Sequence, residues 1–433
     1  MQPQTQPHLL RAVPPSPTLA ADQRMRERIA AGRPVVHLAF GEAGLPVPES
    51  VREVLADASV QNSYGSVAGS AAARGAAAGY YARRRVATDP DQIVFAPGSK
   101  PLLWALIETI AGDVVLPRPS WVSYGAQAQI AGRRVWPVEI PEQAGGVPEP
   151  AALRETLSRA QSDGSTPGLL VLTLPDNPTG TFASASMVTE LVEVAQSYGL
   201  AIICDEIYRD LAHDPEALVS PAELAPESVF ITNGLSKSMA LGGWRIGFAR
   251  LPDGPLGRDA RTALGGLASE IWSSLAAPMQ AVAAHVLDEP ADVIDHVARG
   301  RRLHARTTVA AHEIVTGAGA LCRAPTAAFY LYPDLEPFRE PLAAVGIDGG
   351  DALAEWLLEH HEIGVLSGVA FGDDPRALRF RMATSLLYGA DDEQRRLTLH
   401  SEDPASLDWI AQPLAKLGAA LAAAAGDRGI ALQ

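Results

Sequence analysis

A lysine and an arginine lie eight residues apart in a turn of small residues, within Asn233–Phe248 (NGLSKSMALGGWRIGF). The small neighbours leave room for the amine of Lys237 to reach a ligand and form a Schiff base with a carbonyl group. The planar guanidinium of Arg245 matches a phosphate in a bidentate way, and Ser236 and Ser238 add hydroxyl donors. This stretch favours a phosphorylated carbonyl compound as ligand. A solvated surface turn that leads into a strand is the alternative.

Two further motifs follow apolar runs that read as strands. LPDNPTG (174–180) contains Asn177, and CDEIY (204–208) contains Asp205. Because ligands collect at the carboxyl ends of the strands in an open parallel sheet, Asn177 is placed to contact one; a plain turn is the alternative. A carboxylate such as Asp205 at the apolar end of a strand needs a cation or a good donor, unless it serves as a helix N-cap.

A fourth stretch, APGSK (96–100), reads as a strand-to-helix turn in which free N–H groups of the helix N-terminus face an anion. With these motifs in this order, the chain resembles the fold-type I pyridoxal phosphate enzymes, specifically the class I/II aminotransferases. In that family S-K-x(7)-R is the cofactor lysine motif. The resemblance extends from about Pro34 to Ser385.

The resemblance implies that pyridoxal 5'-phosphate is the cofactor and that Lys237, Asp205 and Tyr208 are catalytic. Lys237 would bind the cofactor covalently, and Asp205 would keep its pyridine nitrogen protonated. Asn177 and Tyr208 would bind the 3'-oxygen of the ring. Trp121 matches the aromatic residue that stacks on the pyridine face, although a lone tryptophan is more often part of a core. The residues implied at the phosphate are Gly98, Ser99, Lys100, Ser236 and Arg245.

The same resemblance implies where the substrate binds. Gly41 lies in the loop that closes over the substrate carboxylate, and Asn177 is also implied to bind the substrate. Arg381, in LRFRMATS, fits the arginine of the α-carboxylate better than Arg379, although the serine that usually follows is displaced. Tyr64 matches the tyrosine that reaches the phosphate in a neighbouring subunit, which implies a homodimer with shared active sites.

The implied reaction is ping-pong transamination, in which an L-amino acid gives its amino group to a 2-oxo acid. Three alternatives remain open at this point. The same scaffold hosts lyases, cyclases and oxidases, and the acidic insert at 389–407 is the reason to consider them. A cofactor-sensing regulator would need a DNA-binding module, for which the residues before the family match are too few and not basic enough. A purely structural role would not need Lys237, Asp205 and Arg245 together.

Two hints about the substrate side chain point in opposite directions. The loop GEAGLPVP (41–48) brings apolar residues towards the expected entrance, which favours an apolar or aromatic side chain. Lys100 favours a distal carboxylate, because a cation at that edge can pair with one. The sequence leaves the choice open.

The order of elements predicts an α/β fold. Seven short apolar runs alternate with helical patterns, which is typical of a mostly parallel seven-stranded sheet with helices on both faces. The predicted domains are an N-terminal arm with part of a small domain (1–45), a large cofactor-binding domain (46–300) and a small C-terminal α/β domain (301–433). Residues 1–18 are expected to be a mobile arm or a segment that is ordered only against a neighbour. The Ala/Gly-rich stretch 62–85 reads as a helix or a linker, with helix favoured.

The composition limits the classes of molecule that the chain is expected to bind. The formal net charge of -15 over 433 residues argues against nucleic acid and anionic membranes. No apolar run reaches the length of a membrane span, and the N-terminus does not look like a signal peptide, so a cytoplasmic location is expected. Cys204 and Cys322 are the only cysteines, and the histidines form no cluster, so neither a disulfide framework nor a metal site is expected.

Overall fold

The computed structural model describes residue 13 and residues 15–426. Most of the arm predicted at residues 1–18 therefore lies outside the described residues, but its last two residues form the first turn of helix α1 (Pro17–Ala30). Pro17 occupies the first position of that helix, where the fixed φ of proline suits a helix and the missing N–H costs no hydrogen bond.

The main sheet has seven strands in the order β2-β8-β7-β6-β5-β3-β4. All neighbours pair in parallel except β8, which runs antiparallel to β2 and β7. The prediction of a mostly parallel seven-stranded sheet is confirmed. Its strands are β2 (Ile93–Pro97), β3 (Asp113–Arg118), β4 (Val135–Glu139), β5 (Pro167–Thr173), β6 (Ala201–Asp205), β7 (Val229–Gly234) and β8 (Ile246–Arg250).

Helices cover both faces of this sheet, which explains why its strands are apolar without interruption. Along β5, for example, Leu170 and Leu172 belong to one core, and Leu169 and Val171 belong to the core on the opposite face. Each side chain is buried because each face packs against helices. The helices from this part of the chain are α2 (Glu49–Ala58), α3 (Ala71–Ala82), α4 (Ser99–Thr109), α5 (Val122–Ile130), α6 (Pro150–Ser162), α7 (Ala185–Ser197), α8 (Pro221–Leu224), α9 (Gly254–Ile271) and α10 (Ala277–Leu287).

Within the Ala/Gly-rich stretch 62–85, residues 71–82 form the favoured helix, and the residues before Ala71 are not helical. The hydroxyl of Ser70 caps α3 by accepting a hydrogen bond from the amide of Ala73. Tyr80 and Tyr81 are buried near its end, and both rings make edge contacts with Phe248 of β8. The two aromatic anchors fix a helix whose small residues allow close packing against its neighbours.

A second core forms around a smaller sheet of three strands, ordered β11-β12-β9. The short strand β1 (Val36–His37) pairs with β10 (Ile363–Gly364), so the beginning of the chain joins this C-terminal part. The domain boundaries at residues 45 and 300 stay a prediction. The remaining elements are α11 (Ala291–Gly317), β9 (Tyr330–Leu331), α12 (Arg339–Ala344), α13 (Gly350–His361), β11 (Leu366–Ser367), β12 (Phe380–Ala383), α14 (Asp392–His400) and α15 (Asp408–Ala424).

The acidic insert at 389–407 contains the helix α14. The carboxylate of Asp391 caps it by accepting from the amide of Gln394. The hydroxyl of Thr398 donates to the carbonyl of Tyr388, and the indole of Trp409 donates to the same hydroxyl. One partly buried hydrogen bond therefore ties the insert to the last helix, and one buried hydrogen bond ties it to the residue before the insert.

Candidate active site

A cavity of about 530 Å³ opens beside the carboxyl ends of β5, β6 and β7. Parallel strands end at the same edge of the sheet, so residues far apart in sequence meet there. The cavity brings together most of the residues predicted from the sequence: Gly41, Ser99, Lys100, Trp121, Asn177, Asp205, Tyr208, Ser236, Lys237, Arg245 and Arg381. Gly98, Tyr64 and Arg379 do not line it.

Lys237 follows β7 in a turn of small residues, as predicted, and its amine donates to the carbonyl of Gly41. Burial is the main reason that the pKa of this amine falls to about 8, and the nearby Arg381 guanidinium acts in the same direction. The carboxylates of Glu42 and Asp205 oppose the effect. A substantial fraction of the amine is therefore neutral near physiological pH, which is the form that attacks a carbonyl group.

Asp205 is the last residue of β6, and its side chain is buried. The hydroxyl of Tyr124 donates to Oδ2 at 2.9 Å, whereas Oδ1 has no hydrogen-bond partner of ordinary geometry among the described residues. Burial is the main reason that the pKa of this carboxyl rises to about 6. A buried carboxylate with one free oxygen at the cavity wall fits a cationic or donating group of a ligand, such as a protonated ring nitrogen.

Asn177, Tyr208 and Arg381 form one hydrogen-bonded chain. The guanidinium of Arg381 donates to Oδ1 of Asn177 at 3.1 Å, and the amide of Asn177 donates to the Tyr208 hydroxyl at 3.2 Å. A second nitrogen of Arg381 donates to the carbonyl of Ala39 at 2.7 Å. The side chain of Arg381 is buried without a carboxylate partner in the described part of the chain, so it is matched to an anion from outside.

Arg379 is placed differently. It lies just before β12 and pairs with Asp334 and Asp373. Its guanidinium is therefore already neutralised outside the cavity. Of the two arginines considered from the sequence, only Arg381 lines the cavity.

Gly98 and Arg245 form the predicted anion cradle at the start of α4. Gly98 has a φ of 91°, and a Cβ there would lie 2.1 Å from a terminal nitrogen of Arg245. Glycine is therefore required both for the backbone conformation and for the close approach of the guanidinium. Arg245 also donates to the carbonyl of Gly242 and has no carboxylate partner within residues 15–426. The free N–H groups of α4 and this guanidinium fit a phosphate group.

Lys100 and Trp121 lie together at one wall of the cavity. The ammonium of Lys100 is 5.2 Å from the centroid of the indole ring, and burial is the main reason that its pKa is lowered. No carboxylate pairs with Lys100 in the described structure. The half-buried Trp121 ring presents a flat apolar surface to the cavity, and its position suits stacking on an aromatic ligand.

The apolar residues of the loop 41–48 do not lie at the cavity entrance, where the sequence suggests them. Leu45 is buried in the core of the smaller unit, and Val47 packs against the core of the larger one. Phe40, Gly41 and Glu42 line the cavity instead. The loop side chains that suggested an apolar entrance are therefore used in packing, whereas apolar residues that do line the cavity, such as Leu19 and Phe40, lie outside this loop.

Tyr64 lies outside the cavity. Its side chain is 83% exposed, and it lines a separate groove with Trp244, Arg245 and Trp272. Arg245 thus borders both the groove and the cavity. An exposed aromatic ring next to the anion cradle is compatible with a contact to a second copy of the chain.

Several cavity residues were not predicted. Helix α1 contributes Ser16, Thr18, Leu19, Asp22 and Arg26, and the remaining unpredicted residues are Phe40, Glu42, Tyr124, Thr173, Ile207, Gly242, Gly243 and Tyr330. Tyr124 follows Trp121 by three residues on the same helix, and this spacing was a usable signal. The α1 residues carry no such signal, because their place depends on how the helix docks.

A family model described as aminotransferase class I and II matches residues 33–386. The chain belongs to the class I and II aminotransferases. The aspartate aminotransferase of Geobacillus stearothermophilus is 30% identical over 86% of this chain and 93% of its own length. The aspartate/prephenate aminotransferase of Cereibacter sphaeroides is 28% identical over 89% and 95%.

The fold agrees with this membership. The structure of the aspartate aminotransferase from Thermus thermophilus with maleate superposes with a TM-score of 0.78 at 27% identity, and covers 89% of this chain and 96% of that one. The protein is a fold-type I, pyridoxal phosphate-dependent aminotransferase. The free Oδ1 of Asp205, the cradle at Gly98 and the lowered pKa of Lys237 fit that cofactor.

Two features are absent from the described residues. None of the helices there has the length and apolar character needed to cross a bilayer. Residues 13 and 15–426 also contain no group of three or more His, Cys, Asp or Glu side chains arranged to hold a metal ion.

Proposed function

We propose that the amino donor is an acidic L-amino acid, with aspartate as the first candidate, and that Lys100 binds its distal carboxylate. The observation that carries this proposal is the ammonium of Lys100, which lines the cavity without a carboxylate partner in the described structure. A partly buried cation of this kind gains most from an anionic ligand. The names of the relatives from Geobacillus stearothermophilus and Thermus thermophilus support the same substrate class.

The α-carboxylate of the donor is assigned to Arg381 and Asn177. Arg381 is the buried cation without a counterion, and Asn177 orients it through the 3.1 Å hydrogen bond. Because Lys100 and Arg381 line the same cavity, the two carboxylates of aspartate would each meet a cation. An amino acid held at both ends presents its α-carbon in one orientation.

Lys237, Asp205 and Tyr208 are assigned to the chemistry. Pyridoxal phosphate, when bound, supplies the reactive carbonyl group and a ring that withdraws electrons from the substrate α-carbon. The amine of Lys237 would hold the cofactor and would move the substrate α-proton as a general base. Asp205 would keep a proton on the ring nitrogen. Tyr208 would donate to the 3'-oxygen, and Trp121 would stack on the ring. The phosphate would be held by Ser99, Ser236, Arg245 and the backbone at Gly98 and Lys100.

The reaction is proposed to proceed in two half-reactions, so that the amino group leaves the donor before the acceptor 2-oxo acid binds. We also propose a homodimer in which Tyr64 of one copy reaches the phosphate cradle of the other, and a cytoplasmic location. The exposure of Tyr64 beside Arg245 supports the dimer. Sedimentation measurements on the holoenzyme and on Tyr64→Phe test it; a monomer with full activity would contradict it.

The amino donor is tested by adding single L-amino acids to the holoenzyme without a 2-oxo acid and following the cofactor absorbance. Aspartate is expected to bleach the cofactor band, and a 2-oxo acid is expected to restore it. A band that persists with all amino acids, or release of ammonia or hydrogen peroxide, would contradict transamination of this donor class.

The role of Lys100 is tested with Lys100→Met. Loss of a charge-assisted hydrogen bond costs about 1.5–3 kcal/mol, so kcat/KM for aspartate is expected to fall about tenfold to hundredfold. The value for alanine, which has no distal carboxylate, is expected to change less than about threefold. Lys416→Met is the matched control, because Lys416 pairs with Glu362 away from the cavity. Equal losses for aspartate and alanine would overturn the assignment.

A further inference from the structure

Tyr330 lies where the two units meet, yet it has no part in the reaction as assigned so far. It is buried on β9 of the smaller unit, and its hydroxyl is 2.8 Å from the hydroxyl of Tyr208, which belongs to the turn after β6. The guanidinium carbon of Arg381 lies 4.8 Å from the centre of its ring. Tyr330 therefore contacts both the tyrosine assigned to the cofactor and the arginine assigned to the substrate.

Either hydroxyl of the Tyr208–Tyr330 pair can donate to the other, and the other partners of Tyr208 decide which direction suits a bound cofactor. A phenol has one hydrogen to donate and accepts through its oxygen lone pairs. The amide of Asn177 already donates to the Tyr208 oxygen at 3.2 Å. If Tyr330 donates as well, the Tyr208 hydrogen points away from both donors and into the cavity. Among the described residues each of the two hydroxyls has only the other as an acceptor. Once a 3'-oxygen accepts from Tyr208, the Tyr208 oxygen is the acceptor left for Tyr330, which favours Tyr330 as the donor.

The surrounding backbone holds Tyr330 in this place. A Cβ at Gly41 would lie 2.1 Å from the Tyr330 hydroxyl oxygen, and a Cβ at Gly180 would lie 2.2 Å from its carbonyl oxygen. Both glycines therefore give room to Tyr330. Since Gly41 also accepts from the amine of Lys237, the loop that contacts the catalytic lysine is the loop that contacts the Tyr330 hydroxyl.

We propose that Tyr330 is a positioning residue, which donates its hydroxyl hydrogen to Tyr208 and thereby directs the Tyr208 hydrogen at the 3'-oxygen of the cofactor. The inference rests on the proposed role of Tyr208. A hydroxyl that accepts two hydrogen bonds is polarised and becomes a stronger donor. Because Tyr330 belongs to the smaller unit and Tyr208 to the larger, the strength of this donor depends on how the two units are placed.

The test is a pH titration of the cofactor absorbance in the holoenzyme without substrate, compared between wild type and Tyr330→Phe. Donation from Tyr208 stabilises the negative 3'-oxygen and so favours the deprotonated form of the bound cofactor. In Tyr330→Phe the Tyr208 hydroxyl is a weaker donor, so the midpoint of the cofactor titration is expected to rise by about 0.5 pH unit. This shift corresponds to a part of the free energy of one net hydrogen bond. In a Tyr208→Phe background the same substitution is expected to cause no further shift.

Tyr332→Phe is the matched control. Tyr332 is a buried tyrosine two residues further along, but its hydroxyl donates to Asp373 and it does not line the cavity. Its loss is expected to leave the midpoint unchanged. Equal midpoints in wild type and Tyr330→Phe, or equal shifts in Tyr330→Phe and Tyr332→Phe, would overturn the inference.

Failure of the inference is distinguishable from failure of the proposed function. A wild-type protein without a cofactor band after addition of pyridoxal phosphate contradicts the assignment of Lys237. A normal band with an unmoved midpoint contradicts only the role of Tyr330. Where Tyr330→Phe does not bind the cofactor, difluorotyrosine at position 330 keeps the shape and makes the hydroxyl a stronger donor. The midpoint is then expected to fall, and an unchanged midpoint contradicts the inference.

Discussion

The guanidinium of Arg381 donates to the side-chain oxygen of Asn177 at 3.1 Å, and this bond joins the three-stranded sheet to the loop after β5 of the seven-stranded sheet. The same guanidinium lies between the rings of Tyr330 and Phe371, at 4.8 and 5.0 Å from their centres. Aromatic faces stabilise a cation but do not neutralise it. Arg381 is therefore oriented for an anion before the anion binds.

Replacement of Arg381 by methionine is expected to lower kcat/KM by about two to three orders of magnitude, because two charge-assisted hydrogen bonds to the substrate are worth about 3–4 kcal/mol. The variant is expected to unfold at the same or a higher temperature without substrate, since it no longer buries a cation without a counterion. Steady-state kinetics and thermal unfolding check the two expectations. Arg379→Met serves as the control, and a larger loss of kcat/KM in that variant would assign the carboxylate to Arg379 instead.

Asp205 links cofactor binding to pH. Its pKa is raised from 3.8 to about 6 by burial, so the folded apoprotein binds more protons than the unfolded chain between about pH 4 and pH 6. Its contribution therefore makes the apoprotein less stable as pH rises through this window, by up to about 3 kcal/mol, and the cost remains above pH 6. A protonated ring nitrogen beside the carboxylate removes the cost.

Asp205→Asn is accordingly expected to stabilise the apoprotein at pH 7.5 and to have little effect on it at pH 4. The same variant is expected to bind pyridoxal phosphate more weakly and to lose activity, because the amide cannot hold the ring proton. Thermal unfolding of apo and holo forms at both pH values measures the difference. A variant less stable than wild type as apoprotein at pH 7.5 would contradict the assigned cost.

The sequence was sufficient to predict the site residues that lie at the ends of parallel strands. Asn177, Asp205 and Lys237 come directly after apolar runs, and parallel strands end at one edge, so their meeting was predictable. The places of Tyr330 and of the cavity face of α1 were not predictable from the sequence, because they depend on how separate units dock. The loop after Gly41 was expected to bring its apolar side chains to the cavity entrance, and this expectation failed for a related reason. Leu45 is apolar for packing in the smaller core, and periodicity does not distinguish a core side chain from one at an entrance.

The choice between Arg379 and Arg381 shows the same limit at the level of one strand. Arg379 and Arg381 are two residues apart in LRFRMATS, so their spacing alone does not show which of them binds the substrate carboxylate. The structure separates them by their partners, since Asp334 and Asp373 pair with Arg379 and no carboxylate pairs with Arg381 in the described chain. Asp334 lies 45 residues before Arg379, so this pairing depends on tertiary contacts that the local pattern does not encode.

Gly98 provides a test of the anion cradle that does not alter any charge. In Gly98→Ala the new Cβ would lie 2.1 Å from the Arg245 guanidinium, and its φ of 91° adds backbone strain. The guanidinium must move away from the N-terminus of α4, so pyridoxal phosphate is expected to bind at least about tenfold more weakly, which corresponds to about 1.4 kcal/mol. Fluorescence titration of the apoprotein with the cofactor measures the affinity.

Gly199→Ala is the control for strain alone. Gly199 also has a positive φ, of 70°, but a Cβ there would have no atom within 4 Å. This variant is expected to lose some stability, by about 1 kcal/mol, and to bind the cofactor with unchanged affinity. If Gly98→Ala binds pyridoxal phosphate as tightly as Gly199→Ala does, the phosphate is not held between Arg245 and the start of α4, and the cradle must be sought elsewhere in the cavity.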